Sequence, residues 1–194
     1  MNYLAHLYLS DPNPLAWAGS LMGDFFKGRD FSGLPEELVR HLRLHRHVDS
    51  FTRSSEPFQN SRRLMHPRFS HARSVLVDVF YDHLLACEWE EYSPTPLVDF
   101  SREVYRGLQS CHPFLSPELQ QQLPRMIKYD WLASYRRPEV VGRVLLRLEE
   151  RLGQKIPLAE GYGELGRWRE ELIQDFSAFM TEVRALTFEW KLKN

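Results

Sequence analysis

The sequence predicts an all-α fold, a single domain built as a multi-helix bundle. Three observations carry that expectation. The chain reads as successive helical segments punctuated by proline, alternation with period two is nowhere sustained, and no glycine-rich phosphate loop of the GxGxxG or GxxxxGK type interrupts the pattern. With 194 residues, 43% hydrophobic and 13% aromatic, one substantial core is within reach. No low-complexity linker and no repeat divides the chain, so residues 1–194 are expected to form one domain.

The elements follow in order. A short apolar segment, Tyr3 to Leu9, leads into the turn DPNP, whose prolines sit near the start of a helix running to about Lys27. Next comes LPEELVRHLRLHRHVDSFTRSS, with Pro35 and two glutamates in the first turn, where the helix dipole favours negative charge. Further helices are expected over Ser70 to Trp89, Leu97 to Gln109, Pro117 to Ser134, Pro138 to Leu152 and Glu164 to Leu192.

Composition excludes several functions. No apolar run approaches the roughly 18 residues needed to cross a bilayer, and MNYLAHLYLSDP lacks the basic start and cleavage-like end of a secretory leader, so a cytoplasmic protein is expected. Cys87 and Cys111 form no CxxC pair, which argues against a disulfide framework or a thiolate zinc site. The net charge of −1 hides an asymmetry: Glu36 to Val75 holds eight arginines against four acids, and five of the eight histidines. Such a patch either attracts an acidic partner or is simply a solvated helix face. A pI near 6.7 without interleaved aromatic and basic residues disfavours nucleic acid.

The chemistry lies in ionisable residues on faces that should be oily. With Leu38 at zero and about 100° per residue, Leu42 falls at about 40° and Val48 at about −80°, while His45 and Asp49 fall at about −20° and 20°. Arg40, Arg43 and His47 project from the opposite side. A buried carboxylate neutralises, pairs or binds metal, so His45 and Asp49 are either a core hydrogen bond or a ligand pair. VLVDVFYDHLLACEW repeats the anomaly: with Val79 at zero, His83 lies near 40°, Asp82 near −60° and Asp78 near −100°. Two helices turning a His and an Asp inward suggest a polar site between helices. His6, in apolar NYLAHL, and Asp24, in GSLMGDFFKG, are further candidates, with a capping role the plain alternative for Asp24. This oxygen and nitrogen set without thiolate suits Mn²⁺, Mg²⁺ or Fe²⁺ in a hydrolytic role better than structural zinc. His41, His47, His66, His71 and His112 are not expected to be ligands, and the five tryptophans are expected to serve as core or interface anchors.

The segments MNYLAHLYLS, GSLMGDFFKG, LHRHVDSFT and VDVFYDHLLACEW, with a fainter YDWLASYR, together resemble the acyl carrier protein phosphodiesterases, divergent members of the HD-type metal-dependent phosphohydrolases. The resemblance implies an all-α, HD-domain-like fold and hydrolysis of the phosphodiester joining 4'-phosphopantetheine to a serine of holo acyl carrier protein, with a divalent metal, manganese first. It places the marked residues on His6, Asp24, His45, Arg46, Asp49, Asp78, Asp82 and His83. On that basis Asp24, His45, Asp49 and Asp82 are the expected metal ligands and Asp78 orients them. His83 or His6 is the expected proton donor, and Arg46 pairs with phosphate. The adjacent His-Asp order of the HD name is absent here, since His45 and Asp49 are four apart and Asp82-His83 is reversed. Acyl carrier proteins are acidic, so the outward Arg40 and Arg43 are the expected docking residues. The other readings are a phosphohydrolase of nucleotides or small phosphate esters, and a non-enzymatic all-α interaction module.

Overall fold

The computed structural model describes residues 3–26, 28, 30–153 and 155–194. Among them the chain forms α-helices and short 3-10 turns and no strand, so the all-α expectation holds. The helices are α1 (Tyr3–Leu9), α2 (Pro14–Phe25), α3 (Glu36–Ser54), α4 (Glu56–Leu64), α5 (Arg73–Cys87), α6 (Trp89–Tyr92), α7 (Leu97–Ser110), α8 (Pro117–Lys128), α9 (Trp131–Ser134), α10 (Pro138–Arg151), α11 (Tyr162–Arg167) and α12 (Arg169–Lys193). No described helix is long and apolar enough to cross a membrane.

Several boundaries have visible local causes. The Asn13 side chain accepts from the Ala16 amide at 2.9 Å, and Pro14 occupies the first turn of α2, where its missing N–H costs nothing. That helix stops at Phe25, short of the expected Lys27, which lies outside the described residues. The expected Ser70 helix begins only at Arg73, because Ser70 adopts φ 47 ahead of it. The expected Pro117 to Ser134 helix divides at Asp130, a left-handed residue with φ 42 whose carboxylate caps α9 through Ala133. The segment from Glu164 divides into α11 and α12 at Trp168, and α4, unassigned from sequence, starts with Pro57 in its first turn.

Two packing features position the site. On α2, glycines let α3 approach closely: a Cβ on Gly19 would lie 2.1 Å from the Leu38 carbonyl oxygen, and one on Gly23 would lie 2.2 Å from the His45 ring. The second feature is α5, buried almost all round through Leu76, Val77, Val79, Phe80, Tyr81, Leu84, Leu85 and Ala86. Such a helix is a central strut rather than a surface element. It packs against α1, α4, α10 and α12, and so carries the groups that tie α1 into the bundle.

Candidate metal centre

Three side chains from two helices converge. His6 comes from α1, and His45 and Asp49 come from consecutive turns of α3. His6 Nε2 lies 3.2 Å from Asp49 Oδ1, and His45 Nε2 lies 3.2 Å from Asp49 Oδ2. The two imidazoles stack with ring centroids 3.7 Å apart and an interplanar angle of 17°. Asp24, at the end of α2, brings Oδ1 to 3.7 Å from His45 Nε2 and is the most exposed of the four. One ligand atom each from His6, His45 and Asp49 lies within 4.8 Å of the others.

The tautomer of His45 follows from its partners. Nδ1 lies 2.7 Å from the Ser20 carbonyl oxygen, which can only accept, so Nδ1 carries a proton and the lone pair of the neutral ring lies on Nε2. That Nε2 is buried and has no hydrogen bond among the described residues, despite its nearness to Asp49. A buried acceptor aimed at two carboxylates is an arrangement that a cation satisfies, and the donor set fits a divalent metal. Burial, followed by the neighbouring His45, pushes His6 down to about 3, so its ring is neutral. Burial alone would raise the Asp49 carboxyl, but contact with His45 and His6 outweighs it and holds the group well below the usual carboxylate range. A neutral His6 imidazole and the Asp49 carboxylate are therefore available to a metal, with His45 Nε2 beside them.

The acids of α5 divide their tasks. Asp82 is fully buried, and its two oxygens accept the Leu4 and Ala5 amides at 2.8 and 3.1 Å. It anchors the first turn of α1, the helix that carries His6, and both of the oxygens expected on the metal accept backbone amides. Burial pushes its carboxyl up to about 7 against those two hydrogen bonds. Asp78, one turn earlier, lines a cleft of about 440 Å³ together with Tyr3, Asp24 and Arg151, and burial raises its carboxyl as well.

Other expected residues turn elsewhere. His83 Nδ1 bonds the Tyr135 carbonyl at 2.7 Å, and its ring edge packs on Cys87 Sγ at 3.7 Å, so it does not join the His6 group. Arg46 donates to the carbonyls of Phe26 and Gly28 at 2.8 and 2.9 Å and lies over Phe31, fastening the segment that follows α2. Arg40 is not a free outward cation: it pairs with Asp11 at 2.8 Å and Glu37 at 3.4 Å and lies over Trp190. Arg43 is exposed but rests on Phe31.

His41, not expected to be a ligand, belongs to a second polar cluster. It is fully buried, with Nε2 3.1 Å from Asp11 and 3.2 Å from Glu37. Those three residues also gather within 4.8 Å, but Lys191 at 2.8 Å and Arg40 already supply positive charge to Asp11. This second cluster ties α3 to α12 and needs no metal to balance it.

Residues 1–183 match the protein family described as acyl carrier protein phosphodiesterase. The acyl carrier protein phosphodiesterase of Klebsiella pneumoniae subsp. pneumoniae is 27% identical over 187 residues, covering 96% of this chain and 97% of its own. That of Pectobacterium atrosepticum is 32% identical over 170 residues, covering 85% and 86%. That of Serratia proteamaculans is 25% identical over 184 residues, covering 94% and 95%. No solved structure matches the chain.

Proposed function

Because the chain belongs to the acyl carrier protein phosphodiesterase family, we propose that it hydrolyses the phosphodiester between 4'-phosphopantetheine and a serine of holo acyl carrier protein, releasing apo carrier protein and free 4'-phosphopantetheine. The observation that carries the chemistry is the convergence of His6, His45 and Asp49 around a buried imidazole nitrogen left without a hydrogen bond. These three, with Asp24 on the open side, would hold a divalent cation, manganese first and magnesium or iron as alternatives. When bound, such a cation neutralises phosphoryl oxygen charge and lowers the pKa of a coordinated water. On this reading the enzyme is a divergent HD-type phosphohydrolase that works in the cytoplasm.

The chain's own residues do the remaining work. The Ser20 carbonyl fixes the His45 tautomer, and the stacked His6 ring holds the imidazole plane. Asp82 holds α1, and through it His6, in register with α3. Asp78, in the cleft wall beside Asp24, keeps its proton to higher pH than a free carboxyl, so it takes the role of donor to the leaving serine oxygen in place of His83.

The test is incubation of the purified protein with holo acyl carrier protein and manganese, following loss of the phosphopantetheine arm by mass spectrometry. Release that EDTA abolishes supports the reading. An intact arm alongside turnover of a nucleotide panel would transfer the site to small phosphate esters, and release indifferent to EDTA would remove the metal from the chemistry.

A further inference from the structure

We infer that α10 presents the surface on which the acidic carrier protein docks, and that the cleft beneath it takes the pantetheine arm. The inference rests on the phosphodiesterase reading, and three observations point to it. The first is continuity. A cleft of about 580 Å³ adjoins the one containing Asp24 and Asp78, and the two share Tyr3, Gln122, Leu148 and Arg151 as wall residues. Together they form a trough running from the metal centre along α10, of a size that suits an extended small-molecule chain.

The second observation is charge. Arg137, Arg143, Arg147 and Arg151 line the larger cleft, and no aspartate or glutamate is among its lining residues. All four are exposed, and among the described residues none of them forms an ion pair. In a chain of net charge −1, four arginines outside any ion pair around one opening select an anionic partner. Arg40, by contrast, spends its charge on Asp11 and Glu37.

The third observation is the order of side chains around α10. Arg143, Arg147 and Arg151 recur every fourth residue, which spreads them over about 12 Å along the axis and about 80° around it. Val144 and Leu148 follow on the inner side, and Val141 and Leu145 reach the core. The cleft therefore has an arginine rim and an apolar floor, and Tyr129 and Trp131 are also among its wall residues. The rim suits carboxylates of a protein surface, which guanidinium groups can grip in pairs. The floor suits the methyl and methylene groups of an uncharged amide chain. Arg151, common to both clefts, stands where the arm's phosphate end would pass toward Asp24 and Asp78.

The experiment compares the wild-type protein, Arg143→Glu with Arg147→Glu, the milder Arg143→Gln with Arg147→Gln, and a control pair of exposed arginines on α7, Arg102→Glu with Arg106→Glu. Each is assayed with manganese on holo acyl carrier protein over a range of sodium chloride, with its melting temperature recorded. For the α10 glutamate pair KM should rise at least about tenfold, with a smaller rise for the glutamine pair and none for the α7 control, and the increase of KM with salt seen for the wild type should flatten. Equal KM values and equal salt dependence in wild-type and α10 variants would overturn the docking surface while leaving the phosphodiesterase reading intact. So would an equal rise in the α7 control. Should the wild type leave the arm in place, that reading itself fails and the surface falls with it.

Discussion

His6 and His45 stack with ring centroids 3.7 Å apart, and each turns its Nε2 toward a different oxygen of Asp49. The first residue belongs to a seven-residue helix at the start of the chain and the second to the middle of α3, so the pair exists only when α1 is docked. Assembly of the pair is thereby coupled to docking of α1. What α1 needs to stay docked matters to the site as much as the ligands themselves.

Asp49 is the carboxylate common to both imidazoles, and replacing it should remove metal before it removes the fold. Asp49→Ala is expected to lower bound manganese well below stoichiometry and to reduce release of the pantetheine arm by at least about 100-fold. The side chain is about a third exposed, so the melting temperature without metal should change little. Metal analysis, turnover and a thermal melt on the same preparation check this. A variant with wild-type metal content and activity would dismiss the site.

The two glycines of α2 separate the site from its scaffold. A Cβ on Gly23 would land 2.2 Å from the His45 ring, which is already fixed by Ser20 and by the His6 stack. Gly23→Ala should therefore displace the imidazole and cost metal affinity and turnover by about tenfold or more. A Cβ on Gly19 would land 2.1 Å from the Leu38 carbonyl oxygen, which belongs to backbone and cannot swing away. Gly19→Ala should cost stability, on the order of 1–3 kcal/mol. Manganese titration set beside urea denaturation for both variants resolves the two effects, and identical profiles would contradict the assignment.

The helical wheel found His45 and Asp49 because α3 has one buried face and one solvated face, so an inward angle means an inward side chain. The same wheel could not sort α5. That helix is buried nearly all round, and its angles do not distinguish the side that meets α1, where Asp82 lies, from the side that meets Tyr135, where His83 lies. The surroundings of His41 have a tertiary origin that helix periodicity does not carry, since Asp11, Glu37 and the Lys191 end of α12 gather around it. The division of α8 from α9 depends on the left-handed Asp130, a conformation that an aspartate tolerates but does not announce. The arginines of α10 were visible at four-residue spacing, but only the cleft beside them gives that spacing a meaning.

Asp82 distinguishes a ligand from a residue that supports the site. Its oxygens satisfy the Leu4 and Ala5 amides in a place closed to water, so Asp82→Ala should destabilise the protein even in EDTA, by about 2–4 kcal/mol. Asp82→Asn keeps one acceptor and should recover part of the loss. Excess manganese should then restore much of its activity, because the ligands are intact once α1 docks. Denaturation curves with and without metal are the measurement. Loss of stability confined to the metal-loaded protein would instead make Asp82 a ligand.

Asp11 sets the protein's response to acid in its far corner. Burial favours the neutral carboxyl, but hydrogen bonds from Lys191 and Arg40 outweigh it and hold the group well below its unfolded value of 3.8. With the folded value below the unfolded one, the native state binds fewer protons, so this group's stabilisation is complete above about pH 4 and is lost as pH falls further. Asp11→Asn removes that linkage. At pH 7 the variant should be less stable than wild type by about 1–2 kcal/mol, a figure kept low because the pair is partly open to water. Urea denaturation at pH 7, 5, 4 and 3 should show the gap between the two proteins steady at first and narrowing at the acid end. A gap that grows toward acid would mean that Lys191 and Arg40 do not hold the Asp11 charge, and the tie between α3 and α12 would need another source.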